Sequence, residues 1–144
     1  MNEKPLHILL VEDDEVDIMN VQRAFRKNKL SNPLSIARNG LEALDMLRGN
    51  EALGISKLTP TPKVILLDIN MPKMGGLELL KIIREDPELK TASVFVMTTS
   101  DEESDKLTAY NLNVAGYIIK PLSFENFVRA IAVLDHYWRL CEQL

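Results

Sequence analysis

Only one cysteine, Cys141, and two histidines, His7 and His136, occur among the 144 residues. A single thiol excludes an internal disulfide and a cysteine-based zinc site, and it suits a reducing compartment. One histidine belongs to a strand-like run and the other to a helix face, which leaves little basis for a histidine metal site or a phosphohistidine transmitter. Long apolar runs are also lacking. Nothing approaches the ~20 residues of a membrane span, and Met1-Asn2-Glu3-Lys4-Pro5 leads into a run too short for a signal peptide. Basic excess is absent as well, with 17 Lys and Arg against 21 Asp and Glu and a net charge of −4. That balance argues against a general nucleic-acid or anionic-membrane binder and favours partners with basic or mixed surfaces. We expect a cytoplasmic protein.

What the chain does have is enough apolar material, 46% of its residues, to build one ordinary core without staples. Val64-Ile65-Leu66-Leu67 reads as a strand buried on both faces, and it ends in Asp68, with Asn70, Met71 and Pro72 close behind. Leu6 to Val11 is a similar run, closed by Glu12-Asp13-Asp14-Glu15, and Ile18, Val21, Ala24 and Phe25 follow at helical spacing. Carboxylates are stabilised near a helix N-terminus by about 0.3–1 kcal/mol each, which explains one or two acids better than four. Further on, Leu34 to Ala37, Val94 to Met97 and Val114 to Ile119 are strand candidates. Helices are predicted after Asn39 and Ser100, where capping boxes run to Glu42 and Glu103, after Gly75-Gly76, and from Ser123 to Leu144. The stretch from Asn50 to Lys63 has no period and reads as a surface loop.

A βα unit repeated five times implies an α/β fold, a doubly wound parallel sheet, and the flavodoxin-like (βα)5 order 2-1-3-4-5 is the natural choice. We expect a single domain over 1–144 with an extended final helix and no output domain. All strand C-termini then share one edge, which collects Glu12, Asp13, Asp14, Asp68, Thr98 and Lys120. Clustered carboxylates repel unless a cation joins them, and a hard ion such as Mg²⁺ takes oxygen ligands of this type. A neighbouring ionised Asp can attack a phosphoryl group without a general base. A hydroxyl from Thr98 and a point charge from Lys120 can meet the phosphoryl oxygens that the cation leaves uncovered.

Leu10-Val11-Glu12-Asp13-Asp14, Leu67-Asp68-Ile69-Asn70-Met71-Pro72, Thr98 and Tyr117-Ile118-Ile119-Lys120-Pro121 together resemble the receiver domain of two-component response regulators over about residues 5 to 135. Thr98 lies 30 residues past Asp68 and Lys120 lies 52 past it, as the family pattern expects. The resemblance implies that Asp68 is the phosphoacceptor, that Glu12 and Asp13 serve an Mg²⁺ site, and that Asn70 adds its backbone carbonyl. It further implies that Thr98 and Tyr117 form a switch pair, that Lys120 binds a phosphoryl oxygen, and that Lys120–Pro121 is cis. Gly75 departs from the pattern, standing where an Asp or Ser often caps the next helix. The long loop before the central strand, Asp86-Pro87-Glu88-Leu89-Lys90, Thr98-Thr99-Ser100 and the Trp138-bearing final helix resemble the small stand-alone regulators of bacterial and cyanobacterial phytochrome kinases. The function this implies is a phosphorylation-dependent switch served by a sensor histidine kinase, catalysing at most its own phosphorylation and dephosphorylation. Competing readings are a phosphorelay or chemotaxis-type regulator of another kinase and an aspartyl-phosphate phosphatase, for which the five units leave no room to build a cap.

On the final helix, Phe127, Ile131, Leu134, Trp138 and Cys141 form one apolar seam, with Ala130, Val133, Tyr137, Leu140 and Leu144 beside it. Two seams are more than one packed face requires. A helix over 123–144 would also run about 33 Å at ~1.5 Å per residue, longer than a strand of the sheet. We therefore expect exposure of Tyr137, Trp138 and Leu140 in a monomer, and a homodimer through this helix and the adjacent strand region.

Overall fold

The computed structural model describes residues 6–121 and 123–141. Among these residues, strands β1 (Ile8–Val11), β2 (Leu34–Ala37), β3 (Val64–Leu67), β4 (Ser93–Thr98) and β5 (Gly116–Ile119) alternate with helices α1 (Glu15–Lys27), α2 (Gly40–Arg48), α3 (Gly76–Glu85), α4 (Glu103–Asn111) and α5 (Phe124–Leu140). The strands are parallel in the order β2-β1-β3-β4-β5, as the sequence predicts.

Strict alternation along the three inner strands divides the core in two. Ile8, Leu10, Val64, Leu66, Phe95 and Met97 face α1 and α5, where they meet Ile18, Val21, Phe25, Phe127, Ile131, Leu134 and Trp138. Leu9, Val11, Ile65, Leu67, Val94 and Val96 face the other way, toward Leu44 and Leu47 of α2 and Leu79, Leu80 and Ile83 of α3. Runs that are apolar at every position therefore serve two layers of helices at once.

Caps set the helix starts. Asp14 accepts from the Asp17 N–H at 3.0 Å, Asn39 from Glu42 at 2.8 Å and Ser123 from Asn126 at 3.2 Å. The predicted box from Ser100 to Glu103 does not form. The cap residue is Glu102, and the Ser100 hydroxyl instead donates to the Asp105 carboxylate at 2.6 Å. Gly75 caps α3 without a side-chain bond. The loop from Asn50 to Lys63 contains one 3₁₀ turn, Glu51–Leu53, capped by Asn50. Among the described residues the cis peptide bond is Thr59–Pro60 and not Lys120–Pro121, which keeps the trans form that X–Pro bonds favour by about 0.5–1 kcal/mol.

Helix α5 spans 17 residues, about 26 Å, and Leu144 lies outside the described residues. Trp138 is not part of an exposed overhang: it is 2% exposed and packs against Phe25 and Phe95, with its indole N–H donating to Asp135. The first seam lies on the sheet, and the second is the exposed one.

Helix α4 is held differently from its neighbours, since Ala109 is its one buried residue. Its C-terminal end is fastened by Arg84 of α3, whose guanidinium donates to the carbonyls of Leu112 and Asn113 at 2.7 and 2.9 Å and to those of Lys90 and Ala92 at 2.8 Å. A forked donor can satisfy four carbonyls from two segments, which a lysine cannot. Arg84→Ala should cost about 2–3 kcal/mol in denaturant unfolding, with Arg84→Lys recovering less than half; a loss below about 0.5 kcal/mol would show that the fork is dispensable.

Candidate functional site at the carboxyl edge of the sheet

Three functional side chains sit on residues that directly follow a strand, and each of those residues is pinned by a backbone bond to the neighbouring strand. The N–H of Glu12 donates to Ala37 at 2.9 Å, that of Asp68 to Val11 at 3.0 Å and that of Lys120 to Thr98 at 2.8 Å. Sheet geometry thus fixes the origins of the side chains before any of them interacts. Pro121 adds to this by restricting the backbone of Lys120 to extended conformations.

Close approach of the next helix brings the rest. A Cβ on Gly76 would lie 2.3 Å from the Asp68 carbonyl oxygen, so only glycine lets α3 start against the strand end. Gly40 does the same for α2: a Cβ there would lie 2.7 Å from the Met74 carbonyl oxygen. The loop after Asp68 is consequently docked on the start of α2, where Gly40 and Leu41 donate to the carbonyls of Met74 and Lys73 at 3.2 and 3.4 Å. Lys73 and Met74 both hold left-handed backbone, with φ of 50° and 76°, which costs a non-glycine residue energy and marks this loop as constrained by its surroundings.

The site these segments build is a group of carboxylates around one ammonium. Lys120 Nζ lies 2.6 Å from Glu12 Oε1, 2.6 Å from Asp17 Oδ2 and 2.9 Å from Asp68 Oδ2. Glu12, Asp68 and Thr98 are buried, whereas Asp13 and Asn70 are exposed. Below them is a small cavity walled by Leu10, Val21, Leu66, Met97 and Phe127. The charges therefore sit on an apolar floor, where they act on one another more strongly than in water.

Each ionisation follows from that placement. For Asp68, burial opposes the charge but is outweighed by hydrogen bonding from Lys120, from the Thr98 hydroxyl and from the Asn70 N–H, so its carboxyl is held below the ordinary value. Burial pushes Glu12 up to about 7; the bond from Lys120 opposes the rise and the Asp68 charge adds to it. Burial also works to strip the proton from Lys120, yet the hydrogen bonds to Asp17, Glu12 and Asp68, in that order, hold its ammonium above the ordinary lysine range.

Oxygens of Glu12, Asp13 and Asp68 lie within 4.8 Å of one another. A set made only of carboxylate oxygens, one of them reluctant to ionise without a cation, fits a hard divalent ion. Asp14 is not in this set, because it caps α1. Thr98 and Tyr117 belong to the sheet face covered by α4. The Thr98 hydroxyl accepts from the Ser100 N–H at 3.3 Å, and the Tyr117 hydroxyl donates to the Ser100 carbonyl at 2.9 Å. The two side chains thus meet the same residue of the loop after β4. Asn70 has its N–H on Asp68 Oδ1 at 3.2 Å.

One member was missed by sequence reasoning. Asp17 looks like decoration of a helix start, and its signal was geometric: an acid in the first turn of a helix that leaves the acidic strand end.

This constellation has known counterparts. The chain matches the response regulator receiver domain over residues 8–132. It belongs to that family. Among its relatives, the receiver is 39% identical over 136 residues to the probable methanogenesis regulatory protein FilR2 of Methanothrix harundinacea, covering 94% of this chain and 85% of the relative. It is 35% identical over 134 residues to the response regulator Rcp1 of Synechocystis sp., covering 93% and 89%. Among solved structures, the phosphorylated cyanobacterial phytochrome response regulator RcpA superposes with a TM-score of 0.85 at 33% identity, covering 98% of this chain and 99% of that one. The Mn²⁺-bound form of Rcp1 superposes with a TM-score of 0.83 at 33% identity, covering 97% and 99%.

A raised Glu12 gives the receiver a defined pH response. Its folded value of about 7 exceeds the ordinary 4.5, so the folded state binds more protons between those values, and the metal-free protein loses stability from this group as pH rises through that window. A cation that needs Glu12 ionised binds better above about 7. The rise in melting temperature on adding Mg²⁺ should therefore be larger at pH 8 than at pH 6, and Glu12→Gln should remove most of the difference; equal shifts at both pH values in the wild type would refute it.

Proposed function

We propose that the receiver takes a phosphoryl group from the phosphohistidine of a sensor histidine kinase onto Asp68. The observation that carries this reading is the Asp68 carboxylate itself: buried, kept ionised by Lys120 and Thr98, and next to two further carboxylates that suit a cation. An Asp68 oxygen forms a bond to phosphorus as the P–N bond breaks. The electron pair of that bond leaves on the imidazole nitrogen, and the ring departs neutral when its other nitrogen carries a proton. Lys120 supplies charge to one phosphoryl oxygen and the Thr98 hydroxyl a hydrogen bond to another. Mg²⁺ held by Glu12, Asp13, Asp68 and the Asn70 carbonyl would offset the charge that builds on the transferring group. Chemistry beyond its own phosphorylation and dephosphorylation is not part of this reading.

Phosphorylation replaces the single carboxylate charge of Asp68 with about −1.5 to −2 charges on the phosphoryl group, set further out where Thr98 can respond. Thr98 shifting toward the phosphoryl group would pull on Ser100, and Tyr117, bonded to the same residue, would turn inward. Helix α4, with one buried side chain, is the element this rearranges. The likeness to RcpA and Rcp1 favours a phytochrome-type kinase and cytoplasmic light signalling. The 39% identity to FilR2 favours, as the second reading, a kinase that serves another signal.

We also infer a homodimer. Val133, Tyr137 and Leu140, which are 68%, 48% and 73% exposed, form the outward seam of α5, and Ile119 of the edge strand β5 and Leu107 and Tyr110 of α4, on the other face of the sheet, are exposed as well. An apolar strip of this kind is more than scattered surface residues account for. In sedimentation equilibrium the protein should be dimeric at micromolar concentration and become monomeric when Val133 and Leu140 are both replaced by Glu; a monomeric wild type would defeat the inference.

The direct test of the acceptor is incubation with candidate phosphorylated kinases. Label should move to the wild type and not to Asp68→Asn, and transfer that survives the substitution would refute the assignment.

A further inference from the structure

An ammonium group has three donors, and each of those on Lys120 faces a different carboxylate. Two of the three, Glu12 and Asp68, belong to the oxygen set that suits a cation, but Asp17 does not. It comes from the first turn of α1, where its N–H is bound by the cap residue Asp14 at 3.0 Å, and α1 is packed through Ile18, Val21 and Phe25 into the core shared with α5. Lys120 follows the edge strand and reaches the site on a long unbranched stem, the kind of side chain that does not hold a direction unaided. The side chains of Asp17 and Lys120 are 22% and 8% exposed, so their contact is largely shielded from water.

A cation drawn to Glu12 and Asp68 repels the ammonium and competes with it for the same two carboxylates. Of the partners of Lys120, Asp17 is the one left outside that competition. We propose that Asp17 is a positioning residue that holds the Lys120 ammonium over the site when a divalent cation binds, so that one N–H stays directed at the Asp68 oxygen and at the phosphoryl oxygen that comes to lie there. This rests on the reading of Asp68 as the phosphoacceptor. It assigns Asp17 no contact with the transferring group and no share of the cation. Its task is geometric, and an uncharged oxygen in the same place performs most of it.

Phosphorylation by acetyl phosphate with saturating Mg²⁺ tests this without a kinase, because the donor reaches the site by diffusion and kinase docking cannot confuse the result. Rates are measured across donor concentrations for the wild type, Asp17→Ala, Asp17→Asn and Asp68→Asn, each shown to be folded by its melting curve. Asp17→Ala should lower the limiting rate on the order of tenfold with the half-saturating donor concentration little changed. Asp17→Asn, which keeps an acceptor oxygen for the ammonium, should recover most of the loss. Label on the wild type with Asp17→Ala equally fast overturns the inference alone. Asp17→Ala and Asp17→Asn equally slow also overturns it, since charge and not position would then be what matters. Absence of label from a folded wild type overturns the acceptor reading and the inference with it.

Discussion

Everything at the carboxyl edge of this sheet depends on one ammonium among several carboxylates. Glu12 and Asp68 are buried on an apolar floor, where two like charges side by side are unfavourable. Lys120 offsets part of this cost, yet burial, with the Asp68 charge adding to it, still raises Glu12 to about 7. The folded receiver therefore carries an unmet demand for positive charge, directed at the place where Glu12, Asp13 and Asp68 point their oxygens. A divalent cation is the kind of group that could meet that demand.

The backbone supplies the rigidity that this requires. Glu12, Asp68 and Lys120 are each held by a bond to the neighbouring strand, one residue past the last regular pairing. Side-chain alternation then sends successive strand residues into two separate cores, so that the site edge is clamped by helices from both sides. Burial of the floor residues, roughly 1.5–3 kcal/mol for each large apolar side chain, offsets what the buried charges cost.

Much of this was legible in the residues. Apolar runs such as Val64 to Leu67 could only be strands covered on both faces, and the acids, Thr98 and Lys120 at their ends converged once the strand order was chosen. What escaped has physical reasons. Trp138 was expected at the surface because helix periodicity places a residue on a seam but does not say how far the opposite wall extends; Phe25 and Phe95 reach it. The box at Ser100 failed because the helix begins two residues later, with Glu102 as its cap; the Ser100 oxygen accepts from the Glu102 N–H at 3.5 Å while its proton goes to Asp105. Asp17 was invisible because its partner is 103 residues away, a separation that no local pattern encodes.

Gly40 and Gly76 have a consequence for direction. By letting α2 and α3 press directly on the loop after Asp68, they join that loop closely to the half of the molecule that contains β2 and α2. On the opposite flank, α4 is fastened at its C-terminal end by Arg84 and buries a single side chain. The receiver is thus packed more closely on one side of Asp68 than on the other. A change at the middle of the sheet edge therefore meets less packing on the α4 side, the side that carries the exposed Leu107, Tyr110 and Ile119.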